Sequence, residues 1–398
     1  MVKKFWFQIH WLLGITAGSV LAVMGVTGAV LSFEHDLLRW MNPGVMTITP
    51  GAKGPLPPHE LLARVQAAYP EKRISGLHLS AHPEDTARIG FATSTDSPGG
   101  QGSGGRRSEW RYVDPYTGTL LGKPRGEQFF RVTTEIHRWL VVGDIGKAIT
   151  GASTFALLVL CLSGLYLRWP RKAWDWRMWL KFNPSLKGRS FLRHLHVATG
   201  TWVLLLYLLA GLTGLYWSYE WYRNSLFALT GAPRPNREAT TLDTPATTPP
   251  DIATVWTVFL RESAGFTTAT LSLPRKPTQA AEIRYLDPHP AHERAFNHLV
   301  LHPVSGDVIR HDRYTERPLG TKLMNSIFAL HSGSFFGLSG VVLMMVASLL
   351  MPLFAITGWQ LYLGRRAKRQ NVRATAATVT LSPSSVNFAA DVEKQQER

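Results

Sequence analysis

An internal duplication, marked by histidines in apolar stretches, limits the folds open to this chain more than any other feature. His10, Gly14, Gly25, Thr27, Gly28 and Glu34 recur as His196, Gly200, Gly211, Thr213, Gly214 and Glu220, all at one constant offset. His137, Gly143, Gly146, Ser163 and Gly164 recur as His331, Gly337, Gly340, Thr357 and Gly358, at a second, slightly longer offset. A repeat of this kind decides the architecture before any local reading. The chain is two copies of helix, polar segment, helix, with about eight extra residues in the second copy. Two parallel copies in a membrane imply a pseudo-twofold axis along the membrane normal. A titratable ring at membrane depth costs free energy unless it has a partner or a role, so the four repeated histidines are functional candidates.

Four segments are long and apolar enough to cross a bilayer: Phe5–Phe33, Gly146–Trp169, Arg193–Trp217 and Phe328–Leu363. Pro352 is expected to kink the last, because proline removes one helix hydrogen bond. The first is too long for a cleaved signal peptide and lacks the small-residue cleavage pattern, so it reads as an uncleaved anchor. Mean hydropathy near zero hides this division between apolar and polar segments.

The formal charge of +16 is concentrated rather than spread. The stretch RWPRKAWDWRMWLKFNPSLKGRSFLR holds eight Lys or Arg against one Asp, Lys3 and Lys4 precede the first apolar segment, and GRRAKRQ follows the last. With four crossings all three lie on one side, as the positive-inside rule requires of a cytoplasmic face. The charge is therefore topological, and no nucleic-acid partner is implied. Cys161 is the only cysteine and lies within an apolar segment, which excludes a disulfide within the chain.

Each polar segment reads as a small α+β domain. In the first, HELLARVQAAYP has helical spacing, RISGLHLSA and TARIGFAT alternate like strands, and WRYVDPYTGTLLG is strand, turn, strand. DSPGGQGSGGRRS is a flexible loop by composition, and its glycines open no helix, so they make no nucleotide fingerprint. In the second, a helix near ATVWTVFLRESA precedes strands at TATLSLP, AEIRYLD and AFNHLVLH. His302-Pro303-x-Ser305-Gly306 there answers Asp114-Pro115-x-Thr117-Gly118. Beyond Asn371 the tail has few aromatics and reads as disordered.

Symmetry makes a geometric prediction: His10 opposes His196, and His137 opposes His331. His10 lies ~9 Å in from Lys4 at the helical rise, and His196 lies close to Arg193, which puts this pair near the cytoplasmic side. The other pair precedes its apolar runs on the outer side. Three occupants compete. Haem b takes an imidazole on each face of its iron and needs no cysteine attachment; a bare metal ion finds only two imidazoles, a poor set; or the rings are hydrogen-bonded structural groups. Haem accounts best for four histidines in symmetric pairs beside glycines. On an ideal helix, His10 and His196 each share a face with their glycines, to within about 60°. The glycines matched to His137 and His331 instead fall on the opposite face, so they serve helix packing, or Leu140–Gly146 and Ser332–Gly340 are not regular helix. His35 is a possible substitute for His137, and His194 for His196, although neither keeps the repeat register. Outer histidines such as His289, His292, His298, His302 and His311 read as solvated loop residues, and Glu34 and Glu220 as structural groups at helix ends.

The stretches IHWLLGITAG, VTGAVLSFEH, IHRWLVVGDIG, LHVATGTW and LHSGSFFGLSG, with the VDPYTG turn, resemble the PepSY-associated transmembrane family, which includes siderophore reductases of the bacterial inner membrane. The resemblance covers residues 1–366, with His302 departing from the motif's Asp. It implies an α-helical membrane protein, with a four-helix transmembrane core duplicated about a pseudo-twofold axis and two α+β, PepSY-like periplasmic domains. The expected boundaries are transmembrane helices at 1–35, 131–169, 193–222 and 321–364 and periplasmic domains at 36–130 and 223–320. The cytoplasmic loop is 170–192 and the tail is 365–398. By the same resemblance, His10, His137, His196 and His331 ligate the iron of two haem b groups, both termini are cytoplasmic, and the activity is reduction of a periplasmic ferric siderophore. The donor is then a quinol or a cytoplasmic reductase. Two alternatives remain open at this point: a regulatory or binding membrane protein without redox activity, and a cytochrome serving another periplasmic acceptor.

Overall fold

The computed structural model describes residues 1–92, 109–170, 174–234 and 240–380. The glycine-rich loop, part of the basic stretch and the tail from residue 381 lie outside these.

The chain opens with α1 (Val2–Thr16), α2 (Gly18–Leu31) and α3 (Glu34–Met41). The first polar segment supplies α4 (Pro58–Ala68), β1 (Ile74–Ser80), β2 (Ala87–Phe91) and β3 (Glu109–Val113). It returns through α5 (Glu127–Trp139) into α6 (Gly143–Arg168). After a short α7 (Trp176–Leu180), the second copy runs through α8 (Gly188–Trp202), α9 (Leu204–Ser218) and α10 (Glu220–Thr230). Then come α11 (Ile252–Glu262), β4 (Thr268–Ser272), β5 (Ala281–Leu286), β6 (Asn297–Leu301) and β7 (Val308–Asp312), before α12 (Leu319–Ser332) and α13 (Gly337–Thr380). Two compact units result. One comprises the described residues of Met1–Val26, Ala152–Leu208 and Leu349–Arg398; the other comprises those of Thr27–Gly151 and Leu209–Ser348.

Two helices are each long and apolar enough to span a membrane, Gly143–Arg168 and Ser334–Lys368. The other two expected spans are not continuous helices. α1 and α2 meet at a bend of 58°, and α8 and α9 at one of 61°, so the described residues hold two candidate spans, or up to four if each bent pair is one span. The breaks fall at Ala17 and Val203, which are matched positions at the offset that relates His10 to His196, so the repeat extends to the bend. Just before them, Thr16 donates its hydroxyl to Leu12 O (2.9 Å), Thr199 to Leu195 O (2.6 Å) and Thr201 to Val197 O (2.9 Å). Hydroxyls that compete for the i−4 carbonyl bend helices. A reading of His10 and its glycines on one straight helix therefore fails past residue 17. Pro352 does not break α13, which continues through it and on to Thr380, beyond the expected start of the disordered tail.

The helix preceding each long span also breaks, which resolves the glycine-face conflict in favour of irregular backbone. Leu140 (φ 49°) and Val141 (φ 62°) occupy the left-handed region, a strained setting for a β-branched residue. In the second copy, Gly333 (φ 86°) and Gly337 (φ 66°) frame a 3-10 turn at Ser334–Phe336. A Cβ on Gly146 would lie 1.6 Å from Trp139 O, and one on Gly340 would lie 2.2 Å from Gly333 O. These are the same contact, repeated at the second offset. The matched glycines let the start of each span close against the carbonyl that ends the preceding helix.

The two polar segments, expected as separate domains, build one antiparallel sheet in the order β3-β2-β1-β4-β5-β6-β7. β1 pairs with β4, and Leu77 faces Leu271, its own equivalent at the second offset. Antiparallel neighbours are related by a twofold, so the repeat axis runs through this central pair. One sheet face carries both helices: Leu61 and Val65 of α4 pack over Leu77, Ile89 and Val113, and Val255 and Phe259 of α11 over Leu271, Ile283 and Leu299. Each such buried side chain contributes roughly 1.5–3 kcal/mol. Ile252 and Leu273 touch both clusters and make them continuous.

His302 keeps the turn that Asp114 builds in the first copy. Asp114 Oδ1 accepts from Tyr116 N (2.8 Å) and its carbonyl from Gly118 N (2.9 Å); His302 Nδ1 accepts from Ser305 N (3.2 Å) and its carbonyl from Gly306 N (3.0 Å). An imidazole nitrogen replaces a carboxylate oxygen as turn acceptor.

On the sheet face away from α4 and α11, His78 shares a hydrogen bond with Thr270 Oγ1 (2.8 Å). Burial, then Arg88 and Arg284, push its pKa down to about 3 against an opposing pull from Asp85. The folded pKa lies below the unfolded one, so acid protonates the unfolded chain first. Stability is lost as pH falls from about 6.5 towards 3, by at most ~1.4 kcal/mol per pH unit for this one proton. Thermal midpoints of wild type and His78→Asn across this window should therefore converge as pH falls; parallel curves would show that His78 contributes nothing.

Candidate functional site

Each pair of repeated histidines meets within one compact unit. The rings of His10 (α1) and His196 (α8) have centres 6.3 Å apart with planes at 76°. Those of His137 (α5) and His331 (α12) are 6.4 Å apart at 65°. The two ring separations are nearly equal although the helices that build the sites differ.

One hydroxyl holds each ring by its Nδ1. The pairs are His10 with Ser163 Oγ (2.8 Å), His196 with Thr357 Oγ1 (2.8 Å), His137 with Thr27 Oγ1 (3.2 Å) and His331 with Thr213 Oγ1 (2.9 Å). All four hydroxyls belong to the repeated set, and each lies in the same copy as the ring it holds. Three of them donate their single proton elsewhere: Ser163 to Leu160 O (3.2 Å), Thr357 to Leu353 O (2.7 Å) and Thr213 to Leu209 O (2.6 Å). A hydroxyl whose proton is so committed can only accept from the ring, so Nδ1 of His10, His196 and His331 carries the hydrogen. Their Nε2 then keeps its lone pair. This is the tautomer of a metal-ligating imidazole whose other nitrogen is oriented by a neighbour.

A glycine follows every one of these hydroxyl residues. A Cβ on Gly164 would lie 3.3 Å from His10 Cε1, and one on Gly28 would lie 3.1 Å from His137 Cε1. Gly28 and Gly164 therefore seat an imidazole on the neighbouring helix. The glycines one turn from the first pair do leave room: a Cβ on Gly14 would meet only Leu160, at 4.0 Å, and one on Gly200 only Phe354, from 3.5 Å. Phe354 also stands edge-on to His196 (5.2 Å), and Trp217 edge-on to His331 (5.4 Å).

The spacing suits one metal atom between two rings. Imidazole binds first-row metals at ~2 Å, so two rings joined through Nε2 have centres about 6.3 Å apart. A linear N–metal–N axis lets the planes turn freely, so both observed interplanar angles are compatible with it. Among the described residues no three or more His, Cys, Asp or Glu converge, so a bare ion at either pair would lack further ligands.

The alternative histidines lie elsewhere. His194 Nε2 is hydrogen-bonded to Lys181 O (3.1 Å), and His35 is exposed on α3. The outer histidines are mostly partnered, contrary to the solvated-loop expectation. His292 is buried against Tyr314 OH (2.9 Å) and Ser326 Oγ (3.0 Å), His298 meets Glu282 (2.9 Å) and His311 meets Tyr285 OH (2.8 Å). His289 alone of the five is exposed. Glu34 and Glu220 open α3 and α10, where a carboxylate faces the positive helix end.

A family model described as the PepSY-associated TM region matches residues 7–365, nearly the whole chain. No curated protein matches it.

Proposed function

The chain belongs to the PepSY-associated transmembrane family, and from that membership and the paired imidazoles we propose that it is a di-haem b reductase, passing electrons from the cytoplasmic side of the bacterial inner membrane to a periplasmic ferric siderophore. The observation that carries the reading is the pairing: each ring is tied by Nδ1 to a hydroxyl, which leaves Nε2 for a ligand, and the paired ring centres stand 6.3–6.4 Å apart. His10 and His196 would hold one haem, and His137 and His331 the other, within a four-helix core in which each bent helix pair is one span. When bound, each haem supplies one-electron transfer at an iron with no vacant position for dioxygen. The chain's own part is to aim the imidazoles, through Ser163, Thr357, Thr27 and Thr213, and to leave room beside them at Gly14 and Gly200.

The acceptor gains one electron, Fe(III) becoming Fe(II), and the donor on the cytoplasmic side, a quinol or a reductase docked on the basic face, loses it. Hard oxygen donors hold Fe(II) less well than Fe(III), so reduction releases the metal for uptake.

The test is the visible spectrum of the purified protein, followed by anaerobic mixing of the dithionite-reduced form with ferric hydroxamate and catecholate chelates. A Soret band, sharp reduced α bands and two haems per chain are expected, with reoxidation by at least one chelate. A colourless protein would remove the redox reading and leave a regulatory one; a coloured protein reoxidised by no chelate would point to another acceptor. The hydroxyls have their own signature. Thr213→Val should weaken haem retention ten- to a hundredfold, the usual effect of losing a group that orients a ligand. Thr213→Ser should restore it; equal retention in Val and Ser variants would mean the hydroxyl does not orient the ring.

A further inference from the structure

The sheet's second face, opposite α4 and α11, carries a row of side chains unlike the rest of the molecule. Cross-strand register aligns Tyr112, Arg88, His78, Thr270, Arg284, His298 and Asp312 on all seven strands. Directly opposed residues share a face, and the His78–Thr270 hydrogen bond fixes which face this is. Beside the row, Trp110 lies across Gly90 and Gly76, where added Cβ atoms would come within 3.3 Å and 3.5 Å of its ring, and its indole remains 42% exposed. At one end Tyr112 packs with Leu38 of α3 and Phe130 of α5; at the other, Arg294 stacks on Phe328 of α12 (4.3 Å).

The carboxylates on and beside this face are engaged. Glu282 pairs with His298, Asp312 with Arg310 and Asp85 with Arg39, while Glu293 accepts from Ser334. Among the described residues, Arg88, Arg284 and Arg294 join no ion pair, although Arg88 and Arg284 both act on His78 and Arg294 acts on Arg284. Glu282 acts on Arg284 but is shared with His298, so the arginines gather more like charge than the nearby carboxylate offsets, a cost that a bound anion would relieve. Arg88 and Arg284 stand three strand spacings apart, roughly 14 Å at the backbone. Arg88 is hydrogen-bonded to Tyr112 and Arg284 lies over the Phe296 ring (4.5 Å), while both act on His78 between them, which suits a ligand with several anionic oxygens better than a single small ion. Guanidinium forks match carboxylate oxygens two at a time.

We propose that this face is a binding site for a small polycarboxylate-type anion, gripped by Arg88, Arg284 and Arg294 above His78 and Thr270. Arg294 leads by ring contacts to the second histidine pair: it lies over Phe328, which stands 6.4 Å from Trp217, which stands 5.4 Å from His331. As the seat of an anionic ferric chelate awaiting an electron, the site rests on the reductase reading; as an anion site it does not.

The probe is citrate, titrated calorimetrically into the detergent-solubilised full chain at low salt, with inorganic phosphate as the comparison. Wild type should bind citrate more tightly than phosphate, and Arg88→Gln/Arg284→Gln should weaken citrate tenfold or more. Arg284→Lys, which keeps the charge, should fall between them and guards against a folding defect, and Arg64→Gln, at an exposed position of α4 on the other side of the sheet, should bind like wild type. Undiminished binding by the double variant, an equal loss in Arg64→Gln, or phosphate binding as tight as citrate would overturn the proposal. Wild-type protein that binds citrate but carries no haem would refute the reductase and spare this site; protein that carries haem but binds no citrate would do the reverse.

Discussion

On the di-haem proposal, purified wild-type protein is expected to carry two haems per chain and His10→Ala protein one, and His196→Ala should match His10→Ala. His137→Ala and His331→Ala should each remove the other haem, and a His10→Ala/His137→Ala double variant should be colourless. Each pair is assembled from its own residues within its own compact unit, so each substitution removes a ring from one pair only. His194→Ala is the internal control. It lies two residues from His196, yet its Nε2 is hydrogen-bonded to Lys181 O, so haem content should stay at two. Pyridine haemochrome content per chain is the measurement. Two haems in every single variant, or a loss in His194→Ala equal to that in His196→Ala, would mean that the paired rings are structural.

The second large effect is expected at two glycines that meet none of the paired histidines themselves. A methyl at Gly146 would lie 1.6 Å from Trp139 O and one at Gly340 would lie 2.2 Å from Gly333 O, and backbone oxygens cannot step aside as a flexible side chain can. Gly146→Ala and Gly340→Ala must therefore open the turn between α5 and α6, or between α12 and α13. Forced overpacking against backbone should cost about 3 kcal/mol or more. The obstructing carbonyl, Trp139 O or Gly333 O, lies two residues after a paired histidine, His137 or His331, so the displacement should also disturb the 6.4 Å ring spacing. Gly364→Ala, where a Cβ meets nothing within 4 Å, should be neutral. Thermal unfolding of the three variants checks this, and a Gly146→Ala midpoint equal to that of Gly364→Ala would show that the turn is not close-packed.

Much of the site could be read in the chain. The repeat brought His10 to His196 and His137 to His331 by symmetry, and it already contained Thr27, Ser163, Thr213 and Thr357. What the repeat could not say was why those hydroxyls were kept. They lie 110 to 161 residues from the rings they hold, and only helix packing brings them into hydrogen-bond range. Spacing places Gly28 and Gly164 only as members of the repeat, whereas packing makes each the seat of an imidazole on another helix. Nor could hydropathy find the bends at Ala17 and Val203, because an apolar run has the same composition whether it is straight or bent.

The sequence by itself determined the duplication, the apolar segments, the four histidines and the asymmetry of charge, since each is a matter of residue type and spacing along one line. Only the tertiary structure decided that the two polar segments share one sheet. Leu77 meets Leu271 through backbone hydrogen bonds that carry no mark of their partner in the sequence. It also decided which nitrogen of each ring is tied down and which arginines, among the described residues, stand together outside any ion pair. Both depend on groups far apart in the chain, and a proton or a charge responds to what is near it in space.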